Sequence, residues 1–138
     1  MATVKSTTLA PGRINALVGA VVGAVFVVVG LLGFTVSREH AFAGHTGSNL
    51  VLFQVNGLHN VVHLAVGVVL ILAAIAGTRA ARTANTAIGA VYLVLGVLGL
   101  FLPAASALNL IALNGADNGL HIVIGLVLVA FGLGADRR

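Results

Sequence analysis

Two short stretches of the chain concentrate side chains that can bind a metal ion or carry a proton. They read NGLHNVVH at 56–63 and NGADNGLH at 114–121. The first supplies His59 and His63, four positions apart, and the second supplies Asp117 and His121 with the same spacing. On a helix this spacing puts both members of a pair on one face. Four ligands can therefore converge from two helices, as in the metal sites of helical bundles.

Several chemistries fit these side chains. Imidazole and carboxylate together suit zinc, copper, iron or manganese, while His63 and His121 alone suit the two axial positions of a haem. Histidine can also relay protons, because it changes charge near neutral pH. The simplest alternative is hydrogen bonding that holds helices together in the membrane, for which the candidates are Asn60, His63, Asn118 and His121. Residue types and spacing leave these alternatives open.

The outermost residues of both stretches also fit a role in helix capping. Asn56 and Asn114 stand where a helix is expected to begin, and asparagine is a favoured N-cap. His59 and Asp117 follow three positions later, where a side chain can return a hydrogen bond to the cap. For these four residues the pattern favours capping over metal ligation.

The elements that must position these side chains are membrane helices. Of the 138 residues, 59% are hydrophobic and 7% are charged, which is too little polar surface to cover a soluble domain. The lipid bilayer is therefore the expected partner. The seven Lys and Arg residues lie at the edges of apolar segments, so they predict topology and no nucleic-acid partner. Cysteine is absent, which excludes disulfides, thiolate catalysis and cysteine-ligated metals.

Four segments are long enough to cross a bilayer, which takes about 20 residues. After a tail at 1–13, the spans are predicted at 14–36, 57–76, 84–102 and 115–135. Six of the seven basic residues then lie on one side of the membrane, and Arg38 alone lies on the other. Because positive charge marks the cytoplasmic side, both termini are predicted to be cytoplasmic.

The two predicted hairpins, 14–76 and 84–135, resemble each other. GAVFVVVGLLGF at 23–34 aligns with GAVYLVLGVLGL at 89–100, and the two polar stretches align as well. Repeats of two spans keep the same orientation, so the sequence predicts an all-α, single-domain four-helix bundle with a pseudo-two-fold axis along the membrane normal. Small residues let helices approach closely in lipid, and the glycines assigned to this packing are Gly23, Gly30, Gly33, Gly67, Gly89, Gly96, Gly99 and Gly125.

The loops on the outer side differ in polarity. The first, 37–54, carries charged residues and histidines and is expected to be a solvated linker. The second, 103–113, is nearly apolar, and its polar residues are Ser106 and Asn109. We expect the second loop to pack against the membrane surface, the first loop or another protein.

The segments NGLHNVVHLAVG, GAVYLVLGVLGL and LNGADNGLHIVIG together resemble a family of small four-helix bacterial membrane proteins known as domain of unknown function 4383. The similarity runs from about Ile14 to Gly134. The resemblance implies a four-helix fold and a location in the bacterial inner (plasma) membrane. It brings no established activity with it.

These observations favour a small non-enzymatic membrane protein that acts as an accessory or structural component of a larger assembly, or that self-associates. Metal or haem binding at the histidines is the alternative, and proton handling is the third. Enzyme activity is not expected, because the serines are confined to the termini and loops and none is paired with a base. Transport is disfavoured, because the helices are apolar beyond Gly67 and Gly125.

Overall fold

The computed structural model describes residues 13–137, which form four long helices and a short β-hairpin. The helices are α1 (Ile14–Val36), α2 (Gly57–Ala76), α3 (Thr78–Phe101) and α4 (Gly115–Gly134). Each helix is long and apolar enough to cross a membrane, so the prediction of a helical, multi-pass membrane protein is confirmed at this level. The tail predicted at 1–13 lies outside the described residues, except for Arg13.

Helix α3 begins earlier than the sequence predicts. The apolar stretch indicated a span at 84–102, but the helix starts at Thr78. Residues 78–83 read TRAART and are too polar for a hydropathy criterion, yet their backbone is helical: Ala81 N donates to the Gly77 carbonyl at 3.0 Å. Gly77 alone joins α2 to α3, and its φ of 116° is a conformation that L side chains rarely adopt.

Glycine contacts bring the helices together in pairs, α1 with α2 and α3 with α4. A Cβ added to Gly23 would stand 2.7 Å from the Gly67 carbonyl oxygen, and a Cβ added to Gly67 would stand 2.7 Å from the Gly23 carbonyl oxygen. Gly89 of α3 and Gly125 of α4 are related in the same way, at 2.9 Å. Because lipid gives helices no hydrophobic drive to associate, this close backbone approach is what stabilises each pair.

Nearer the loops, each helix pair makes a second contact through an asparagine. The Asn60 Oδ1 atom occupies the place where Gly33 would carry a Cβ, and Asn118 Oδ1 does the same at Gly99. Among residues 13–137 neither oxygen has a hydrogen-bond donor, and each packs closely against the glycine backbone. The Asn60 Nδ2 atom donates to Ser37 Oγ at 2.9 Å. These two asparagines therefore hold neighbouring helices together.

Two loops close the end of the bundle that carries the polar stretches. In the first loop, β1 (Ser48–Leu50) and β2 (Phe53–Val55) form an antiparallel hairpin, an element that the sequence analysis did not predict. Backbone groups near the membrane need partners, and the two loops supply them to each other. Gly44 N donates to the Leu110 carbonyl at 2.8 Å, and Ala112 N donates to the Gly44 carbonyl at 3.0 Å.

The interior is apolar in the middle and polar towards both ends. Phe26, Leu70 and Tyr92 form the apolar cluster. At the end away from the loops, Asn85 Nδ2 donates to Asn15 Oδ1 at 3.0 Å. Towards the loops follow the buried polar side chains of α2 and α4: His59, Asn60, His63, Asp117, Asn118 and His121. Large apolar side chains on all four helices are exposed, as a surface that faces lipid requires.

Candidate metal site

Three buried histidines come together where α2 and α4 begin. His59 and His63 on α2 and His121 on α4 are 1%, 6% and 4% exposed. Each offers a ring nitrogen, and these nitrogens all lie within 4.8 Å of one another. The ring centroids of His59 and His63 are 4.5 Å apart, and the His121 centroid lies 6.2 Å and 6.4 Å from them. Three of the residues nominated from the sequence thus form one cluster.

Asn56 fixes the start of α2 and holds both loops over it. Its Oδ1 atom accepts a hydrogen bond from His59 N at 2.9 Å, which makes it the N-cap of the helix. Its Nδ2 atom donates to the Gly44 carbonyl at 2.9 Å and to the Leu110 carbonyl at 3.0 Å, one in each loop. One fully buried side chain therefore sets both the position of His59 and the position of the loops above it.

Asp117 caps α4 and lies outside the group of clustered ligand atoms. The Asn114 Oδ1 atom accepts from Asp117 N at 2.9 Å, and the Asp117 Oδ2 atom accepts from Asn114 N at 3.1 Å. The same carboxylate oxygen accepts from Gln54 N at 3.2 Å, which ties β2 to the start of α4. Among residues 13–137, the ligand atoms within 4.8 Å of one another come from the three histidines. Backbone N–H groups therefore engage the Asp117 carboxylate.

The hydrogen bond of His121 determines which of its nitrogens can bind a metal. Its Nδ1 atom lies 2.7 Å from the Asp117 carbonyl oxygen. A carbonyl only accepts, so we assign the hydrogen to Nδ1, which leaves the Nε2 lone pair free. Metal-bound histidines usually donate their second ring nitrogen in this way, which orients the ring.

The other two histidines have ring nitrogens without partners. Both nitrogens of His59 and the Nδ1 atom of His63 are buried and have no hydrogen-bond partner among residues 13–137. The carbonyls of Gln54 and Ile111 approach the His59 ring but do not meet the geometry of a hydrogen bond. Buried polar atoms are nearly always satisfied, so each exception requires an explanation. A metal ion at the centre of the three rings would satisfy one nitrogen of His59 and one of His63.

Two aromatic residues that the sequence analysis did not nominate line the inner side of the cluster. Phe26 of α1 lies 5.2 Å from the His63 ring, and Tyr92 of α3 lies 4.9 Å from the His121 ring, centroid to centroid. The two aromatic rings stack on each other at 5.3 Å. They occupy the same column of the alignment between GAVF and GAVY, and that match was the signal available in the sequence.

The arrangement fits a single ion better than a haem. A haem between His63 and His121 would need a flat slot extending well beyond both imidazoles. His59 occupies that space, since its ring is in contact range of both other histidines. Phe26 and Tyr92 close the inner side. The three rings therefore suit one shared ion and leave no room for a macrocycle.

Residues 16–134 match the family model described as "Domain of unknown function (DUF4383)", which is far more than half of the chain. The chain belongs to the DUF4383 family. The resemblance seen in the sequence motifs is thereby confirmed, and the match contains all three histidines of the cluster. Neither the curated proteins nor the solved structures give a significant match to this DUF4383 protein.

The histidine cluster of this DUF4383 protein is enclosed from both ends of the bundle. On the loop side, Val55 and Ala112 follow the residues whose carbonyls approach His59, and both are fully buried. On the opposite side, Leu70 is fully buried and lies about 10 Å deeper along α2 than His63. The cluster is thus a closed centre between a lid of loops and an apolar core.

Proposed function

We propose that this DUF4383 protein is a non-enzymatic, multi-pass membrane protein that binds one transition-metal ion through His59, His63 and His121. The observation that carries the proposal is the convergence of three buried imidazoles whose nitrogens lie within 4.8 Å of one another. Among residues 13–137, both ring nitrogens of His59 and the Nδ1 atom of His63 have no hydrogen-bond partner. The three candidate metal ligands are all imidazole nitrogens, which suit zinc, copper, nickel and iron.

The distances support binding after small side-chain rotations. Metal–nitrogen bonds of about 2.0–2.1 Å in a tetrahedral site place the donor atoms about 3.3 Å apart. The observed separations of up to 4.8 Å are close enough for the rings to turn inwards without moving the helices. Three protein ligands also leave the fourth position open for water or another small ligand.

The surroundings favour holding an ion over conducting one. A conduction path needs polar groups along its length, but the core next to the cluster is built from Phe26, Leu70 and Tyr92. Leu128 on α4 is also fully buried. Proton handling by the same histidines meets the same apolar barrier towards the other end of the bundle.

The tandem repeat, the membrane topology and the location are also part of the proposal. Two tandem hairpin repeats of one orientation would explain why Gly33–Asn60 and Gly99–Asn118 make the same contact at aligned positions. Both termini are proposed to be cytoplasmic, since most basic residues gather at one end of the bundle. Those within the described residues are Arg13, Arg79, Arg82 and Arg137. The bacterial inner membrane is proposed from the family resemblance.

A role as an accessory or structural component of a larger assembly is the second candidate. Loop residues Val51 and Leu108 are 84% and 78% exposed, and apolar surface outside the spans suits a partner or self-association. The size of the assembly in gently solubilised native membranes tests this. A band at the mass of one chain would argue against it.

The metal proposal is tested by metal content. The protein is purified in mild detergent, incubated with Zn²⁺, Cu²⁺ or Ni²⁺, desalted and analysed by elemental mass spectrometry. We expect about one ion per chain, and its loss in the His63→Leu/His121→Leu variant. The control His40→Leu/His45→Leu removes two exposed loop histidines and should retain the ion. No bound metal in the wild type, or equal metal in both double variants, would contradict the proposal.

A further inference from the structure

A groove lies at the end of the bundle away from the histidines, where α3 begins and α4 ends. Its volume is about 720 Å³. Two basic side chains, two hydroxyl groups and apolar side chains are among those that line it: Arg79, Arg82, Thr83, Thr86, Ala87 and Leu133. A second groove of about 680 Å³ on the other side of α3 shares Arg79, Thr83 and Ala87 and continues onto Val69 and Ile88.

The groove is electrically positive. Within the part of the chain that the structure describes, the Arg79 guanidinium has no hydrogen bond or ion pair. Arg82 uses its Nε atom to donate to the Gly132 carbonyl at 3.3 Å, which leaves its two terminal nitrogens for another acceptor.

One acidic residue, Asp136, also lines the groove, but its charge is already engaged. Its Oδ2 atom accepts from Asn15 N at 2.8 Å and from Asn15 Nδ2 at 3.1 Å. Its Oδ1 atom accepts from Ile14 N at 3.3 Å. The carboxylate is therefore directed towards the start of α1. Arg82 also lies close enough to interact with its charge, and Arg79 leaves the groove with a net positive charge.

Polarity changes along the groove in the same order as along a phospholipid. Arg79 is the second residue of α3, which places it at the level of the lipid headgroups. Ala87 lies eight residues further on, about 12 Å deeper, and the adjoining groove adds Val69 and Ile88 to this apolar inner part. Arginine suits phosphate because its planar fork can donate two parallel hydrogen bonds.

We infer that the groove between α3 and α4 binds an anionic phospholipid, with its phosphate at Arg79 and Arg82 and an acyl chain running past Ala87 towards the middle of the bilayer. Basic pockets between membrane helices recognise anionic headgroups in this way. The site is separate from the histidine cluster and does not depend on metal binding.

The experiment compares phosphatidylglycerol with phosphatidylcholine of the same acyl chains, each added to the detergent-purified full chain. Thermal unfolding and native mass spectrometry report binding, and inorganic phosphate at the same concentration serves as a separate sample. We expect phosphatidylglycerol alone to raise the melting temperature and to remain bound. In the Arg79→Gln/Arg82→Gln variant we expect its affinity to fall about 30-fold.

The control Arg13→Gln/Arg38→Gln removes the same charge from arginines that line neither groove and should bind like the wild type. Because Arg82 also bonds to Gly132, the single variant Arg79→Gln provides a second test that leaves this contact intact. Equal effects of the two lipids, full binding by the double variant, or an equal effect of inorganic phosphate would overturn the inference.

Discussion

Buried ring nitrogens without partners reduce stability, by about 1–3 kcal/mol each. His59 has two such atoms and His63 has one, although both residues lie in the tightly closed end of the bundle. An apolar side chain of similar size would avoid this cost. A ligand that binds the histidines would offset part of this cost. The effect on the free energy of unfolding can be measured for each histidine separately.

Replacing His63 by leucine should separate the stability of the metal-free protein from that of the loaded protein. In EDTA we expect the His63→Leu variant to be at least as stable as the wild type, because an unsatisfied nitrogen has been removed. With the ion at about 100 times its Kd, the wild type should gain about 2.7 kcal/mol and the variant much less. Chemical unfolding in detergent measures both. A variant strongly destabilised in EDTA would show that the ring has a structural role.

The charge of Asp136 should make the stability of the protein depend on pH in the acid range. Its partial burial works against ionisation, but hydrogen bonds from Asn15 and Ile14, together with nearby Arg82, outweigh this and lower the pKa of the carboxyl below 3.8. Because the folded pKa is lowered, the stabilisation is complete well above the ordinary carboxyl pKa and is lost as the pH falls through the folded value. The Asp136→Asn variant should lack this acid-dependent loss when unfolding is followed between about pH 6 and pH 2. Parallel pH profiles for the two proteins would contradict this.

Among the elements, the contacts between paired helices depend on glycines that face asparagine side chains. Alanine at Gly33 or Gly99 would place its Cβ on the Asn60 or Asn118 amide. We expect Gly33→Ala and Gly99→Ala each to cost about 1–3 kcal/mol, the usual cost of overpacking. Gly119→Ala is the matched control, because nothing lies within 4 Å of its Cβ position and alanine favours helix. Equal stability of all three variants would mean that these crossings are loosely packed.

The helices themselves could largely be predicted, because the apolar pattern that lipid requires is strong. α1 and α2 have the bounds that the pattern predicts, and α4 ends one residue earlier. The start of α3 could not be found in this way, since its first six residues are polar. The β-hairpin between α1 and α2 was missed for a different reason: its strands have three residues each and are stabilised by tertiary contacts with α4.

The residues of the candidate site could be predicted from the sequence, but the role of each residue could not. His59 and Asp117 occupy matching positions of the aligned stretches, and spacing alone assigned both to capping. In the structure the Asp117 side chain bonds to backbone N–H groups, while the His59 ring joins the histidine cluster. The difference depends on which loop segment lies above each helix start, and local sequence does not encode that.

For the whole molecule, the distribution of arginines predicts one topology. Arg13 precedes α1, Arg79 and Arg82 begin α3, and Arg137 follows α4. Because positive charge stays in the cytoplasm, reporters fused to either end should both be active on the cytoplasmic side. A reporter after Arg38, in the first loop, should be active only outside. Opposite locations for the two ends would contradict the topology.

The hydrogen bonds between the two loops above the histidines also affect the rate at which a bound ion exchanges. The backbone bonds of Gly44 with Leu110 and Ala112, reinforced by Asn56, must open before anything leaves the centre below. For an ion held there, the exchange rate is then limited by the opening of the loops, whatever its affinity for the three rings. Residence time and binding strength would thus be set by different parts of the chain, so loop substitutions could shorten one without changing the other.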